Sequence, residues 1–243
     1  MSLTPGDIAA MLDHSVLQPF LTDTNIEKGC DIALAYHTAS VCARPEDVRI
    51  IKKRLSGSGV KICTVIGFPH GAQTSAVKLY EARDALSNGC EELDMVINIG
   101  KLLSGQTGYV EDEIHAVVQA AHAAGAIVKV ILETCYLSDA QKAEACMLAE
   151  SAGADFVKTS TGYGSAGCTV SDLLLMRGAV SDKVRVKGSG GIRDLDAVLA
   201  ARKAGASRCG VSATEAIMKE AERRFEEGEL RESDGPSHMS GGY

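Results

Sequence analysis

His122-Ala123-Ala124-Gly125-Ala126-Ile127-Val128-Lys129-Val130-Ile131-Leu132 closes one helical pattern and opens an apolar, β-branched run. Gly125 is the joint, because a helix commonly ends on a residue at positive φ, where a Cβ is penalised. The phrase recurs at Ala152-Gly153-Ala154 and Ala204-Gly205-Ala206, and Asn88-Gly89-Cys90 plays the same part once more. From Gly89 the steps are 36, 28 and 52 residues, the last about two units long. The chain is built from a repeated helix-then-strand unit.

Working outward, the short apolar runs are Val60–Ile66, Leu93–Ile99, Ile127–Leu132, Phe156–Thr159, Val184–Lys187 and Arg208–Val211. Met11–Val16 and Ala39–Ala43 bring them to eight. Continuous apolar runs of this length suit parallel strands covered on both faces. Between them lie amphipathic helices. Thr24-x-x-Glu27 and Ser138-x-x-Gln141 read as capping boxes, Pro45 as a first helical residue, and a helix is expected from near Arg193. Eight strands alternating with helices predict a single-domain α/β fold, a (β/α)8 TIM barrel over residues 1–226. A doubly wound open sheet is the alternative. Residues 227–243, rich in Gly, Ser and acidic side chains, read as a flexible C-terminal tail.

Composition narrows the function. Of 243 residues 45% are apolar, enough for one well-buried core. No apolar stretch approaches the roughly 18–20 residues of a bilayer span, so no membrane partner is expected. Twenty-five basic residues against thirty-two acidic give −7, and there is no Trp, which argues against a nucleic-acid partner. Eight scattered cysteines without a C-x-x-C pair, behind a start that lacks a signal-peptide profile, point to a reduced, cytoplasmic protein.

In such barrels chemistry sits at the C-terminal ends of the strands. Lys158 and Lys187 each end an apolar run, and a lysine there is costly unless it is paired or its proton is lost. At an ordinary pKa only about one lysine amine in 2,500 is free at pH 7. Two neighbouring ammonium groups repel, which pushes at least one toward the nucleophilic amine that attacks a carbonyl. The competing reading is a buried ion pair, Lys158 with Asp94 or Glu133. Lys61 and Lys129, inside strand-like runs, read as paired or outward-facing. Asp94 suits a proton relay or charge balance for a lysine. Gly188-Ser189-Gly190-Gly191 and Gly210-Val211-Ser212 end the last two runs and can offer backbone N–H groups to a phosphate. His14 and His70, with Asp13 and Asp94, could build a metal site, the mark of a metal-dependent sugar-phosphate epimerase. A phosphosugar-binding protein without turnover is the third reading.

Taken together these motifs resemble the deoxyribose-phosphate aldolase family from about Asp7 to Glu226. The most specific is Lys158-Thr159-Ser160-Thr161-Gly162, similar to the family's Schiff-base lysine motif. Leu93-Asp94, Gly67-Phe68-Pro69-His70-Gly71 and Lys187-Gly188-Ser189-Gly190-Gly191-Ile192-Arg193 accompany it. The resemblance implies reversible cleavage of 2-deoxy-D-ribose 5-phosphate to acetaldehyde and D-glyceraldehyde 3-phosphate. It implies that Lys158 forms the iminium, Lys187 lowers its pKa and Asp94 shuttles protons through a water. No metal or organic cofactor is implied, since the iminium is the electron sink. Ser15, Thr161, Gly162, Gly190, Gly191, Gly210 and Ser212 match substrate- and phosphate-binding positions, and Cys42 a cysteine near the substrate open to aldehyde inactivation. The expected partners are a phosphosugar and aldehydes. Self-association as a homodimer or homotetramer is left open.

The sequence departs from the family pattern in four places. Ser15 stands where Thr is frequent and keeps the hydroxyl. Ala213 follows Ser212 where a second Ser is frequent, which removes one phosphate hydroxyl. Tyr163 replaces a Lys that meets the phosphate in some members. Tyr243 ends the chain as a tyrosine does in longer-tailed members, where it enters the site; a frayed end is the other reading.

Overall fold

A computed structural model describes residues 3–232. Eight parallel strands close into a barrel in the order β1 to β8. They are β1 Leu12–Val16, β2 Ser40–Ala43, β3 Lys61–Ile66, β4 Glu92–Val96, β5 Ile127–Ile131, β6 Phe156–Lys158, β7 Arg185–Ser189 and β8 Ala206–Val211. β1 pairs with both β2 and β8, so the sheet has no edge and the doubly wound alternative falls. The helices are α1 Pro5–Ala9, α2 Asp23–Tyr36, α3 Val48–Leu55, α4 Ser75–Ser87, α5 Ile99–Leu103, α6 Thr107–Ala123, α7 Asp139–Ser151, α8 Val170–Ala179, α9 Leu195–Lys203 and α10 Thr214–Glu226. The expected apolar runs all overlap strands. β7 runs on through Gly188 and Ser189, and β8 starts early at Ala206, with a register shift against β7 at Val186 and Lys187.

The main core lies between strands and helices. Ile8, Ile26, Ile51, Ile114, Val198 and Ile217 lie buried in one cluster with Leu12, Val41, Leu93, Val128, Val157 and Val186 from the strands. Gly89, Gly125, Gly153 and Gly205 all adopt positive φ at the ends of helices, as the repeated phrase requires. One helix start differs from the sequence reading. Thr22, not Thr24, caps α2: its hydroxyl accepts from the Asn25 amide while Asn25 reaches back to the Thr22 amide. Asn can serve as the third residue of such a box, and the Glu-based pattern passed over it. α9 starts at Leu195, close to Arg193 as read, and the Asp194 carboxylate caps it by accepting from Ala197 N at 2.8 Å. The Ser138–Gln141 box stands as read, and Pro45 opens a short 3-10 turn ahead of α3.

After α10, the Leu230 amide donates to the Arg224 carbonyl and the Leu230 side chain is buried against the core. Tyr243 and the rest of the tail from 233 lie outside the described residues. No described helix is long and apolar enough to cross a membrane.

Candidate active site

Strand alternation sends every second side chain into the barrel. Asp13 and Ser15 therefore share a face of β1, while His14 points to the helix layer, its Nδ1 2.9 Å from Thr214 Oγ1. Burial holds the His14 imidazole neutral by pushing its pKa down to about 4. His70 is exposed at the barrel mouth. The two histidines do not join Asp13 and Asp94, so the metal site expected of an epimerase is not assembled. Among the described residues the group close enough to share an ion is instead Cys42, Cys63 and Asp94.

The inward-facing residues form one buried charge cluster. Asp94 is its hub: Oδ2 accepts from Lys158 Nζ at 2.7 Å and Lys187 Nζ at 2.6 Å, and Oδ1 from Lys129 Nζ at 2.8 Å. Lys187 also lies 2.6 Å from Asp13 Oδ2, an ion contact without hydrogen-bond alignment. Asp13 Oδ1 is fixed by Ser40 Oγ at 2.6 Å and by the Arg208 guanidinium. Arg208 and Lys129 share Glu92, at 2.9 and 2.6 Å. Lys158 thus pairs with Asp94 rather than Glu133. Of the two lysines first read as paired or outward-facing, Lys61 pairs with Glu91 on the surface and Lys129 turns inward, fully buried.

The electrostatics follow from this packing. Burial works to raise the carboxyl pKa of Asp94, but Lys129, Lys158 and Lys187 together hold it well below the ordinary range. Burial works to lower the Lys187 pKa, yet Asp13 and Asp94 outweigh it and hold the ammonium above its usual range. Lys129 is raised in the same way, chiefly by Asp94. Four cations, Lys129, Lys158, Lys187 and Arg208, face three carboxylates, Asp13, Glu92 and Asp94. Loss of one lysine proton brings the cluster to neutrality. Lys158 is held by one carboxylate where Lys187 is held by two.

Above the cluster three cavities run side by side. A space of about 20 Å³, the size of one water, is lined by Ser15, Cys42, Lys158, Thr161, Lys187, Gly190 and Gly210 among others. On one flank a cavity of about 240 Å³ is bordered by Gly190, Gly191, Ile192, Arg193, Gly210, Val211, Ser212 and Gln18. On the other, a second of about 240 Å³ meets His70, Glu133, Tyr136, Thr161 and Tyr163. All the expected binding residues that are described border this mouth except Gly162, which packs behind Gly190: a Cβ on Gly190 would stand 3.5 Å from its Cα. The Asp194 carboxylate caps the start of α9, and the loop backbone before it, Gly190 to Arg193, borders the phosphate-sized cavity.

The loops around the mouth are braced from below. Glu133, buried and in left-handed conformation, accepts from the Thr161 amide and hydroxyl. Tyr163 donates to the Leu17 carbonyl at 3.1 Å and meets Phe68 edge-on, ring centroids 5.4 Å apart. A Cβ at Gly71 would fall 1.9 Å from the Ile97 carbonyl oxygen, which accounts for the second glycine of Gly67-Phe68-Pro69-His70-Gly71. Asp13, Glu92, Lys129 and Arg208 were not predicted as members of one cluster. The inward parity that Asp13 shares with Ser15 was the available signal, whereas the meeting of Lys129 with Asp94 across two strands leaves no local trace.

A barrel that gathers buried lysines around one carboxylate, beneath cavities ringed by glycine-rich loops, is the framework of an amine-based lyase. Residues 7–220 match the model of the DeoC/LacD family aldolase. A deoxyribose-phosphate aldolase of Rhodopirellula baltica is 48% identical over 219 residues, 90% of this chain and 91% of that one. Another, of Thermococcus gammatolerans, is 50% identical over 215 residues, 88% and 96% of the two chains. The structure of the tetrameric deoxyribose phosphate aldolase of Aeropyrum pernix superposes with a TM-score of 0.84 at 32% identity, covering 92% of each chain. The chain belongs to the DeoC/LacD aldolase family.

Proposed function

We propose that this chain is a class I aldolase that reversibly cleaves 2-deoxy-D-ribose 5-phosphate to acetaldehyde and D-glyceraldehyde 3-phosphate, a step of deoxynucleotide catabolism. The observation that carries the assignment of roles is the position of Lys158: its amine lies 2.7 Å from Asp94 Oδ2, beside the ammonium of Lys187, and borders the water-sized cavity.

The phosphate binds in the cavity bordered by Gly190, Gly191, Gly210 and Ser212, which brings the aldehyde end of the sugar to Lys158. The Lys158 amine adds to C1, and loss of water gives an iminium. The C3 hydroxyl then loses its proton, the C2–C3 bond breaks, and its electron pair moves to the iminium nitrogen. D-glyceraldehyde 3-phosphate leaves behind an enamine. Protonation at C2 and hydrolysis release acetaldehyde and the free amine. Lys187 stays charged beside Lys158, its ammonium held by Asp13 and Asp94. Asp94 is too strongly anionic to hold a proton for long, so it orients the amine and relays protons through one water in the small cavity. Ser15 and Thr161 face the same space, and Cys42 borders it as a bystander open to aldehydes.

Eight unbridged cysteines support a reducing, cytoplasmic setting. The tetrameric Aeropyrum relative supports self-association of this chain. Borohydride reduction in the presence of acetaldehyde, followed by peptide mass mapping, tests the mechanism. An adduct confined to Lys158, and loss of turnover with retained fold in Lys158→Leu, are expected. Full activity in that variant would end the Schiff-base reading.

A further inference from the structure

Beneath the substrate cavity two thiols face each other with no part in the mechanism above that needs both. Cys42 on β2 and Cys63 on β3 stand directly opposite in the parallel register. Cys63 Sγ lies 3.4 Å from Asp94 Oδ1, and the two sulfurs and one carboxylate oxygen all lie within 4.8 Å of one another. Around a tetrahedral zinc ion, with bonds of about 2.3 Å to sulfur and 2.0–2.2 Å to oxygen, ligand atoms stand roughly 3.5–3.8 Å apart. The three atoms therefore reach that spacing with side-chain adjustment alone. Cys42 borders the cavity that also holds Lys158, which gives an entering ion a path and a fourth ligand, either water or the lysine amine.

We propose that Cys42, Cys63 and Asp94 form an inhibitory site for a thiophilic divalent cation of the zinc and cadmium class. Two thiolates with a carboxylate select such ions over magnesium or calcium, which prefer oxygen ligands throughout. The charge change is compatible with burial. Binding releases two thiol protons, and the two negative charges formed are cancelled by the divalent ion, so the cluster's net charge is unchanged. Lys129 Nζ sits 2.8 Å from Asp94 Oδ1 and 3.4 Å from Cys63 Sγ, so an entering ion displaces this ammonium from both atoms. When the metal takes Oδ1, Lys129 keeps Glu92 at 2.6 Å. Asp94 is then committed to the ion, and the space needed for carbinolamine formation is occupied. Inhibition rests on the aldolase reading, whereas metal binding does not.

Cadmium titration of the full chain, reduced and free of chelating thiols, separates the two. One cadmium per chain is expected, with an ultraviolet cadmium–thiolate charge-transfer band, release of two protons, and activity that falls in step with the band and returns with EDTA. Cys42→Ser and Cys63→Ser should each weaken binding at least tenfold, while Cys30→Ser, on the buried face of α2, should leave the titration unchanged. Cadmium NMR of the unmodified chain gives a second test that needs no variant, since a dithiolate resonance differs from an all-oxygen one. A band or inhibition that survives both serine variants, a cadmium resonance with oxygen ligands only, or a saturated band with full activity would overturn the proposal. A chain without aldolase activity that still shows the two-cysteine band would count against the enzymatic reading alone.

Discussion

Lys187 has two carboxylates at 2.6 Å, and their charge holds its ammonium above the usual lysine range. The repulsion expected between two adjacent lysines is channelled by Asp94 Oδ2, which accepts from both. In Lys187→Leu the carboxylates of Asp13 and Asp94 lose that cation, and the field around the amine beside them becomes more negative. We expect kcat to fall by about 10²–10³-fold, the scale of losing one preorganised charge, and the pH optimum of the residual activity to move upward. The pH profile is the decisive readout. A lowered kcat on an unshifted profile would mean that Lys187 positions substrate without influencing the charge on Lys158. At this scale the sequence was largely legible, because a lysine ending an apolar strand carries a visible cost. Asp13, in contrast, reads from the sequence only as a metal ligand beside His14, and its partners Lys187 and Arg208 lie far along the chain.

At the scale of elements, β1 and α2 show how closely the helix layer is fitted to the barrel. Gly29 lies on the buried face of α2, where a Cβ would stand 2.5 Å from Val16 Cγ1 and 3.2 Å from His14 Nε2. Gly29→Ala should gain about 1 kcal/mol in helix propensity. Overpacking costs about 1–3 kcal/mol, and the β-branched Val16 has little rotamer freedom with which to yield. We expect a net loss, seen as a Tm lower by about 2–4 °C for each kcal/mol. A higher Tm would show that β1 and α2 can separate at no cost. Helix and strand positions were read from periodicity, and their starts less well. Asn25 and Asp194 serve as capping groups through short side chains whose partners are set only once the backbone turns.

The whole molecule is a closed sheet whose helices and final turns share one core. Leu230, beyond α10, is 6% exposed in that core, and Glu232 lies 3.6 Å from Arg202. Truncation before Glu229 should therefore lower stability by about 1.5–3 kcal/mol, the worth of one buried leucine, relative to truncation after Glu232. Thermal melts of the two shortened chains compare them directly, and equal melting temperatures would mean that Leu230 contributes no net burial. By itself the sequence determined the barrel, the order of its units and the lysine, carboxylate and glycine positions at the strand ends. These rest on local periodicity, on positive-φ joints and on the cost of a charge in an apolar run. Tertiary structure alone decided that four cations and three carboxylates share one buried cluster and that Lys129 faces inward. It also decided that two cysteines meet beside Asp94. Closing the barrel brings β1 against β8 and sets each strand's register, and pairing at that range has no signature in the residues on either side.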